Sequence, residues 1–290
     1  MSLAASLEAY WKLTKPRIWG LLVFTGFIAM LVAYKETNIP PSLFQIGVLV
    51  SALTFGSASA DILTNYHDRD IDSVMKRTMG RPLPSGQIEP RRALTLGLTM
   101  SVLSVALALW FNLLAAGFML AGLIDNVVVY SLLLKRRSWL NIILGGFSGG
   151  MPVLVGYASI ANGVSPIALY MSALVIVWIP THIWSLAIVN KEDYRAAKVP
   201  MLPVVFGDRV ATVCIAATSA LLAVFSVAIF LFTVVSIFYT VSAIVLGGIV
   251  LAYSAKLAID RKVDTAWVLF KITSPYLTAI FLVLGLTFWF

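Results

Sequence analysis

Charge is scarce in this sequence. Asp, Glu, Lys and Arg make up 12% of its 290 residues, and the mean hydropathy is +0.94. Soluble domains carry about a quarter charged residues, so a water-exposed globular fold is excluded and a polytopic membrane protein is implied. No polar stretch is long enough to fold by itself, and residues 1–290 read as a single intramembrane domain. The one cysteine, Cys214, lies in an apolar run, which excludes an internal disulfide and favours packing. With only two histidines there is no His-rich metal site. The first 17 residues lack the apolar core and cleavage site of a signal peptide. They read as a short amphipathic lead-in to the first span.

What the chain does have is long apolar runs. A membrane-spanning helix needs about 20 mostly apolar residues. Nine segments qualify, at 18–34, 43–63, 93–111, 113–134, 139–160, 166–189, 210–231, 234–255 and 267–290. The predicted fold is therefore all-α, with nine transmembrane helices. Cations distribute unevenly between the two ends of these spans. Lys12, Lys15 and Arg17 precede the first; Arg69, Lys76, Arg77, Arg81, Arg91 and Arg92 follow the second; Lys135, Arg136 and Arg137 follow the fourth. Lys191, Arg195, Lys198 and Arg209 follow the sixth, and Lys256, Arg261 and Lys262 the eighth, whereas the opposite loops carry only Lys35. By the positive-inside rule the N-terminus is cytoplasmic. The formal charge of +8 is thus concentrated on one side, where it suits lipid headgroups or an anionic substrate rather than nucleic acid.

Topogenesis accounts for those cations but not for the acids. Asp68, Asp70 and Asp72 crowd one loop, and Glu192 and Asp193 another four helices later, a spacing that hints at an internal repeat. The loops run over about 64–92 and 190–209. Drawn as a helix, Asp61, Asn65, Asp68 and Asp72 fall at about 0°, 40°, 340° and 20°, one narrow stripe, with Asp70 opposite at about 180°. Such a stripe of oxygens is what Mg²⁺ takes, usually one or two carboxylates completed by phosphate and water. The competing reading is a solvated helix end whose acids pair with bases at i,i+4. An EF-hand is excluded by the missing glycine and terminal glutamate.

In the second cluster His182, Asn190 and Asp193 fall at about 0°, 80° and 20°, again on one side. An ionisable group within a span is a functional candidate, although a lone buried histidine also serves as a hydrogen-bonded core residue. Arg77, Arg81, Lys135 and Arg136 supply groups that grip phosphate oxygens. Mg²⁺ with such clamps stabilises a departing diphosphate. The parts describe an enzyme ionising a lipid-soluble diphosphate at the cytoplasmic mouth of a helix bundle. The rival from another class is an ion-coupled transporter, but its site belongs near the bilayer midplane, and most of these acids lie at the mouth.

Four stretches resemble the UbiA-type intramembrane prenyltransferases: "LTKPRIWGLLVFTG", "NYHDRDIDSVMKRTMGRPLPSG", "YSLLLKRRSWLNIILGGFSGGMPVLVGYASI" and "WIPTHIWSLAIVNKEDYRAAKVPMLPVVFG". The last two resemble the haem-farnesylating branch; siblings acting on an aromatic quinone precursor or a glycerol lipid are the alternative. The resemblance implies nine helices around a central cavity in the cell membrane, with cytoplasmic motif loops. It implies Mg²⁺-dependent transfer of farnesyl from farnesyl diphosphate to a vinyl group of haem B, with water addition, giving haem O. Asn65, Asp68 and Asp72, joined by Asp193, would hold the metal, with Asp68, Asp72, His182 and Asp193 as the catalytic set. Arg77, Arg81, Lys135, Arg136 and Asn190 would bind the diphosphate. Tyr130, Tyr157 and Trp178 offer faces to the allylic cation, although aromatics in membranes also serve as packing or interfacial anchors. His182 would face the porphyrin, as iron ligand or acid–base group. Haem A synthase and terminal-oxidase assembly factors are the implied protein partners. The pattern departs from the family at Thr64, Asn190 and Tyr194, which replace ligands. Asp61 and Asp125 are additional acids; Asp125 either lines the cavity or hydrogen-bonds within the bundle.

Overall fold

The computed structural model describes residues 3–233 and 236–287. Among them nine helical spans are long and apolar enough to cross a membrane. A short α1 (Leu3–Leu13) leads into α2 (Pro16–Thr37) and α3 (Leu43–His67), and α4 (Arg69–Val74) continues α3. After the first polar loop come α5 (Pro90–Phe111) and α6 (Leu113–Leu123), the latter running on as a π-helix over Ile124–Leu134. The short α7 (Asn141–Leu144) and α8 (Phe147–Ala161) together form the fifth span. Then follow α9 (Pro166–Val189), α10 (Lys191–Ala196), α11 (Leu202–Val227) with a 3₁₀ turn to Leu231, α12 (Ile237–Asp260) and α13 (Val263–Thr287). The predicted spans agree with these apart from their edges. The seventh begins at Leu202 rather than 210. Predicted boundaries at 234 and 290 lie outside the described residues.

Local chemistry explains the ends. Proline opens α2, α5 and α9, where its missing N–H costs no helical bond. Ser42 and Gln45 form a capping box at the start of α3, and Asn112 caps α6. Asn38, Asn162 and Arg261 end α2, α8 and α12 in the left-handed conformation. Spans 2 and 3, 4 and 5, and 6 and 7 are joined at one end of the bundle, so both motif loops and the 135–140 turn gather there.

Glycine permits the tightest crossing. A β-carbon on Gly156 of α8 would stand 1.9 Å from the carbonyl oxygen of Gly26 on α2. No other residue fits, and the two backbones touch. Leu98, Val102, Val224, Ile244 and Ile259 are exposed on the bundle's outer surface, the apolar exterior of a multi-pass membrane protein. The N-terminal helix is held differently: Ala9 and Leu13 are buried against Ile62, Leu83, Ile88 and Ala93 beneath the first motif loop.

Candidate active site

At the motif end a cavity of about 390 Å³ opens into the bundle, within the range of small-molecule sites. Its mouth is charged: Lys15, Arg17, Asp61, Asn65, Asp68, Asp72, Arg77, Arg81 and Lys135 line it. Deeper in, the wall turns apolar with Leu21, Leu53, Met119, Met151 and Val155. The stripe of acids survives a break in the helix. Asp68 sits at the α3–α4 junction with φ −88° and ψ 6°, yet its N–H bonds Thr64 O at 2.8 Å and its carbonyl accepts from Asp72 N–H at 2.8 Å. The i→i−4 ladder therefore carries the register across the junction.

Asp68 and Asp72 are 2% and 3% exposed. Carboxylates so buried must be paired. Asp72 Oδ2 accepts from Arg81 Nη1 at 2.7 Å. Asp68 Oδ2 is bonded by Lys135 Nζ, and Asp61 Oδ1 accepts from Lys15 Nζ at 3.0 Å. One oxygen is left over. Asp68 Oδ1 is buried without a hydrogen-bond donor, its nearest recorded cation being Arg136 Nη2 at 3.8 Å. Asn65 donates to Leu13 O at 3.1 Å, and its Oδ1 is held only loosely by Arg81 at 3.4 Å. An unpaired buried carboxylate oxygen beside a second carboxylate and an amide oxygen fits a hard divalent cation. Among the described residues no three acid, His or Cys side chains form a metal cage by themselves. A cation here would take its remaining ligands from phosphate or water.

Lys15 escapes a reading confined to topogenic charge. It has a left-handed backbone, φ 50°, and burial pulls its ammonium below the usual lysine range while Asp61 opposes that fall. The signal for it was Asp61, because an acid within a span needs a cationic partner. Asp61→Ala strands Lys15 and is expected to cost about 3 kcal/mol. Lys15→Met/Asp61→Leu should recover most of that loss, as read by thermal unfolding in detergent.

Several expected site residues stand elsewhere. Arg136 does not line the cavity. It grips Asp70 through two bonds of 2.6 Å and bonds His67 O at 2.9 Å. The pair lies outside, as Asp70's opposed position on the helix requires, and Arg136's hydrogen bonds hold the Asp70 carboxyl down at about 2. Tyr157 donates to Glu36 among the α2–α8–α9 contacts and is absent from the cavity wall. Asn190 Nδ2 turns back onto Leu186 O at 2.9 Å. Asp193 Oδ2 accepts from the Arg77 backbone N–H at 2.9 Å, and its neighbour Tyr194 lines the cavity instead. Asp125 Oδ2 takes Ser148 N–H at 2.7 Å at the start of α8, the hydrogen-bonded role within the bundle.

The π-helix over Ile124–Leu134 is an element that apolar periodicity does not reveal. Its i→i−5 register bonds Lys135 N–H to Tyr130 O at 2.8 Å and sets Lys135 Nζ 5.6 Å from the Tyr130 ring centroid. Asn126, Tyr130 and Lys135 all face the cavity, and π-turns recur at functional sites.

Farther along the wall, His182 is sandwiched between Trp178 and Phe270, with ring centroids 4.5 and 4.4 Å apart. Trp178 Nε1 donates to Thr273 O at 2.7 Å. The Thr273 hydroxyl lies within donating distance of Phe270 O, at 2.8 Å. The same hydroxyl lies 2.7 Å from His182 Nδ1, a hydrogen bond whose direction follows the imidazole tautomer. Both Trp178 and His182 line the cavity.

Residues 22–287 match the UbiA prenyltransferase family. A protein of Thermoplasma volcanium named protoheme IX farnesyltransferase is 41% identical over 280 residues, covering 96% of this chain and 97% of that one. Among solved structures, one of digeranylgeranylglyceryl phosphate synthase superposes with a TM-score of 0.78 at 16% identity, covering 98% of each chain. A UbiA homolog from Archaeoglobus fulgidus, bound to DMAPP and Mg²⁺, gives 0.66 at 20% identity over 94% of this chain and 99% of that one. Both structures share the fold of the chain described here.

Proposed function

This chain belongs to the UbiA prenyltransferase family, and from that premise we propose that it transfers farnesyl from farnesyl diphosphate to a vinyl group of haem B, with water addition, giving haem O. The observation that carries this reading is a cavity with chemically opposite ends, a cluster of carboxylates and cations at the mouth and an apolar wall with a stacked histidine within. The farnesyltransferase name of its Thermoplasma relative supports the choice of substrates. Family membership removes the transporter reading. Residues 1–290 act as one catalytic unit in the cell membrane, with the cation-rich loops in the cytoplasm. Haem A synthase or terminal-oxidase assembly factors are the partners to which haem O would pass.

Asp68 and Asp72, with Asn65, would hold Mg²⁺, a use consistent with the unpaired Asp68 Oδ1 and with the Mg²⁺ in the Archaeoglobus homolog. Bound there, the ion would supply Lewis-acid neutralisation of diphosphate charge. Arg77, Arg81 and Lys135 grip the phosphate oxygens. The C1–O bond breaks with its electron pair leaving on diphosphate. Tyr130, which already carries the Lys135 ammonium over its ring, and Trp178 offer π-faces to the allylic cation, worth about 0.5–2 kcal/mol each. The vinyl π-pair forms the new C–C bond, and water adds to the cation left on the porphyrin side chain, releasing a proton. The apolar wall keeps bulk water from the farnesyl cation before then.

His182 would present a ring nitrogen to the haem iron, as imidazole does in haem proteins. His182→Ala should shift the spectrum of bound haem and weaken haem binding about tenfold or more, leaving farnesyl diphosphate binding intact. An unchanged spectrum and unchanged affinity would reduce His182 to packing. The reaction itself is tested by giving membranes labelled farnesyl diphosphate with haem B or with an aromatic acid. Labelled haem is the expected product, and label on the aromatic acid alone would overturn the reading.

A further inference from the structure

The two motif loops are tied at one point. Asp193, in the first turn of α10, accepts the backbone N–H of Arg77 from a residue 116 positions earlier in the chain. The second motif's other polar groups are committed locally: Asn190 to Leu186 O, Glu192 to Arg195 at 2.5 and 2.7 Å, and Lys191 to Asp208 at 2.9 Å. What this motif adds to the cavity wall is Tyr194, 8% exposed. Arg77 does line the cavity. On its far side the loop is pinned by Thr78, whose hydroxyl donates to Asp72 O at 3.0 Å, and by Arg81 on Asp72. Arg77 is thus suspended between an anchor on the first motif and an anchor on the second.

We propose that Asp193 is a positioning residue: its carboxylate holds the Arg77 backbone so that the guanidinium meets the diphosphate, and this, rather than metal coordination, is its contribution. The proposal rests on the prenyl-diphosphate reading of the cavity. A loop N–H turned toward another element needs an acceptor, and a carboxylate makes the stronger kind of bond. The assignment explains why an acid is useful at 193 although Asn190 and Tyr194 replace other ligands of the family pattern. It also separates two roles that substitution can distinguish, because an asparagine carbonyl still accepts an N–H but, being uncharged, holds a divalent cation more weakly than a carboxylate does.

The experiment uses the full chain in detergent, with Mn²⁺ and inorganic diphosphate as probes, and compares Asp193→Asn, Asp193→Ala and Asp68→Asn. With Asp193→Asn, Mn²⁺ affinity in the presence of diphosphate should stay within about threefold of wild type. Trypsin cleavage after Lys76 and Arg77 should remain as slow as in wild type. With Asp193→Ala, Mn²⁺ affinity should again hold, cleavage should accelerate, and KM for farnesyl diphosphate should rise about tenfold, the loss of one hydrogen bond to a charged group. A tenfold or greater loss of Mn²⁺ affinity in Asp193→Asn overturns the proposal, as does an unchanged cleavage rate and KM in Asp193→Ala. If the alanine variant does not fold, the asparagine variant decides alone. Asp68→Asn must lose Mn²⁺ binding; if it does not, the metal reading of the cavity fails, independently of the Asp193 result.

Discussion

Asp68→Asn is expected to lower kcat/KM for farnesyl transfer by about 10³-fold, the scale of removing one charge-stabilising group from a buried reaction centre. The substitution keeps the side chain's size and one of its oxygens. What it removes is the negative charge, shared between Lys135 on Oδ2 and the unpartnered Oδ1. A purely structural role predicts something different. Losing the Lys135 counter-charge in a residue 2% exposed would then lower thermal stability, and Lys135→Gln alongside would restore both stability and activity. A site that ionises a diphosphate predicts that the double variant regains stability while transfer stays down, because there Lys135 would itself be a phosphate clamp. Transfer at wild-type rate in Asp68→Asn, measured with labelled farnesyl diphosphate, would remove this carboxylate from the mechanism.

The legible part of this molecule is what repeats along the chain. Runs of about 20 apolar residues bounded by charges are visible in any window, and all nine spans stand in the described residues. The largest boundary error, at the seventh span, has a local cause. Arg209 reads as a loop charge, but Gly207, at φ 78°, kinks the chain within α11, and Asp208 pairs with Lys191. The stripe of Asp61, Asn65, Asp68 and Asp72 was also legible, since only Asp72 lies beyond the helix break and Arg81 ties it down. The same projection misplaced Asp193. It was carried from His182 across the junction at Asn190, φ −109° and ψ 27°, beyond which Tyr194 is the residue that faces the cavity. Partners distant in sequence were illegible altogether. Lys15 meets Asp61, and Arg136 meets Asp70, through tertiary packing that no period encodes.

Removing divalent metal should do more than stop the reaction: inorganic diphosphate should bind the chelated protein at least about 10³-fold more weakly than it binds with Mg²⁺ present. Each buried acid at the mouth has its own cation, Asp61 with Lys15, Asp68 with Lys135 and Asp72 with Arg81. To bind diphosphate unaided, Lys135 and Arg81 must leave their carboxylates, stranding Asp68 and Asp72 in almost complete burial. Each broken buried pair costs about 3–5 kcal/mol. Two such pairs outweigh 10³-fold, about 4 kcal/mol, even after the new phosphate contacts are subtracted. With metal and diphosphate together the pairs would exchange partners: the carboxylates would turn to the metal and the cations to phosphate, leaving no charge alone. Linkage then fixes the reciprocal result, that diphosphate must raise metal affinity by the same factor. Calorimetric titration of diphosphate with and without Mg²⁺, and of Mg²⁺ with and without diphosphate, gives both sides of that cycle. Equal diphosphate affinity in the two states would mean that the acids at the mouth are bystanders and that Arg17 and Arg77, the cavity cations outside these three pairs, bind phosphate alone.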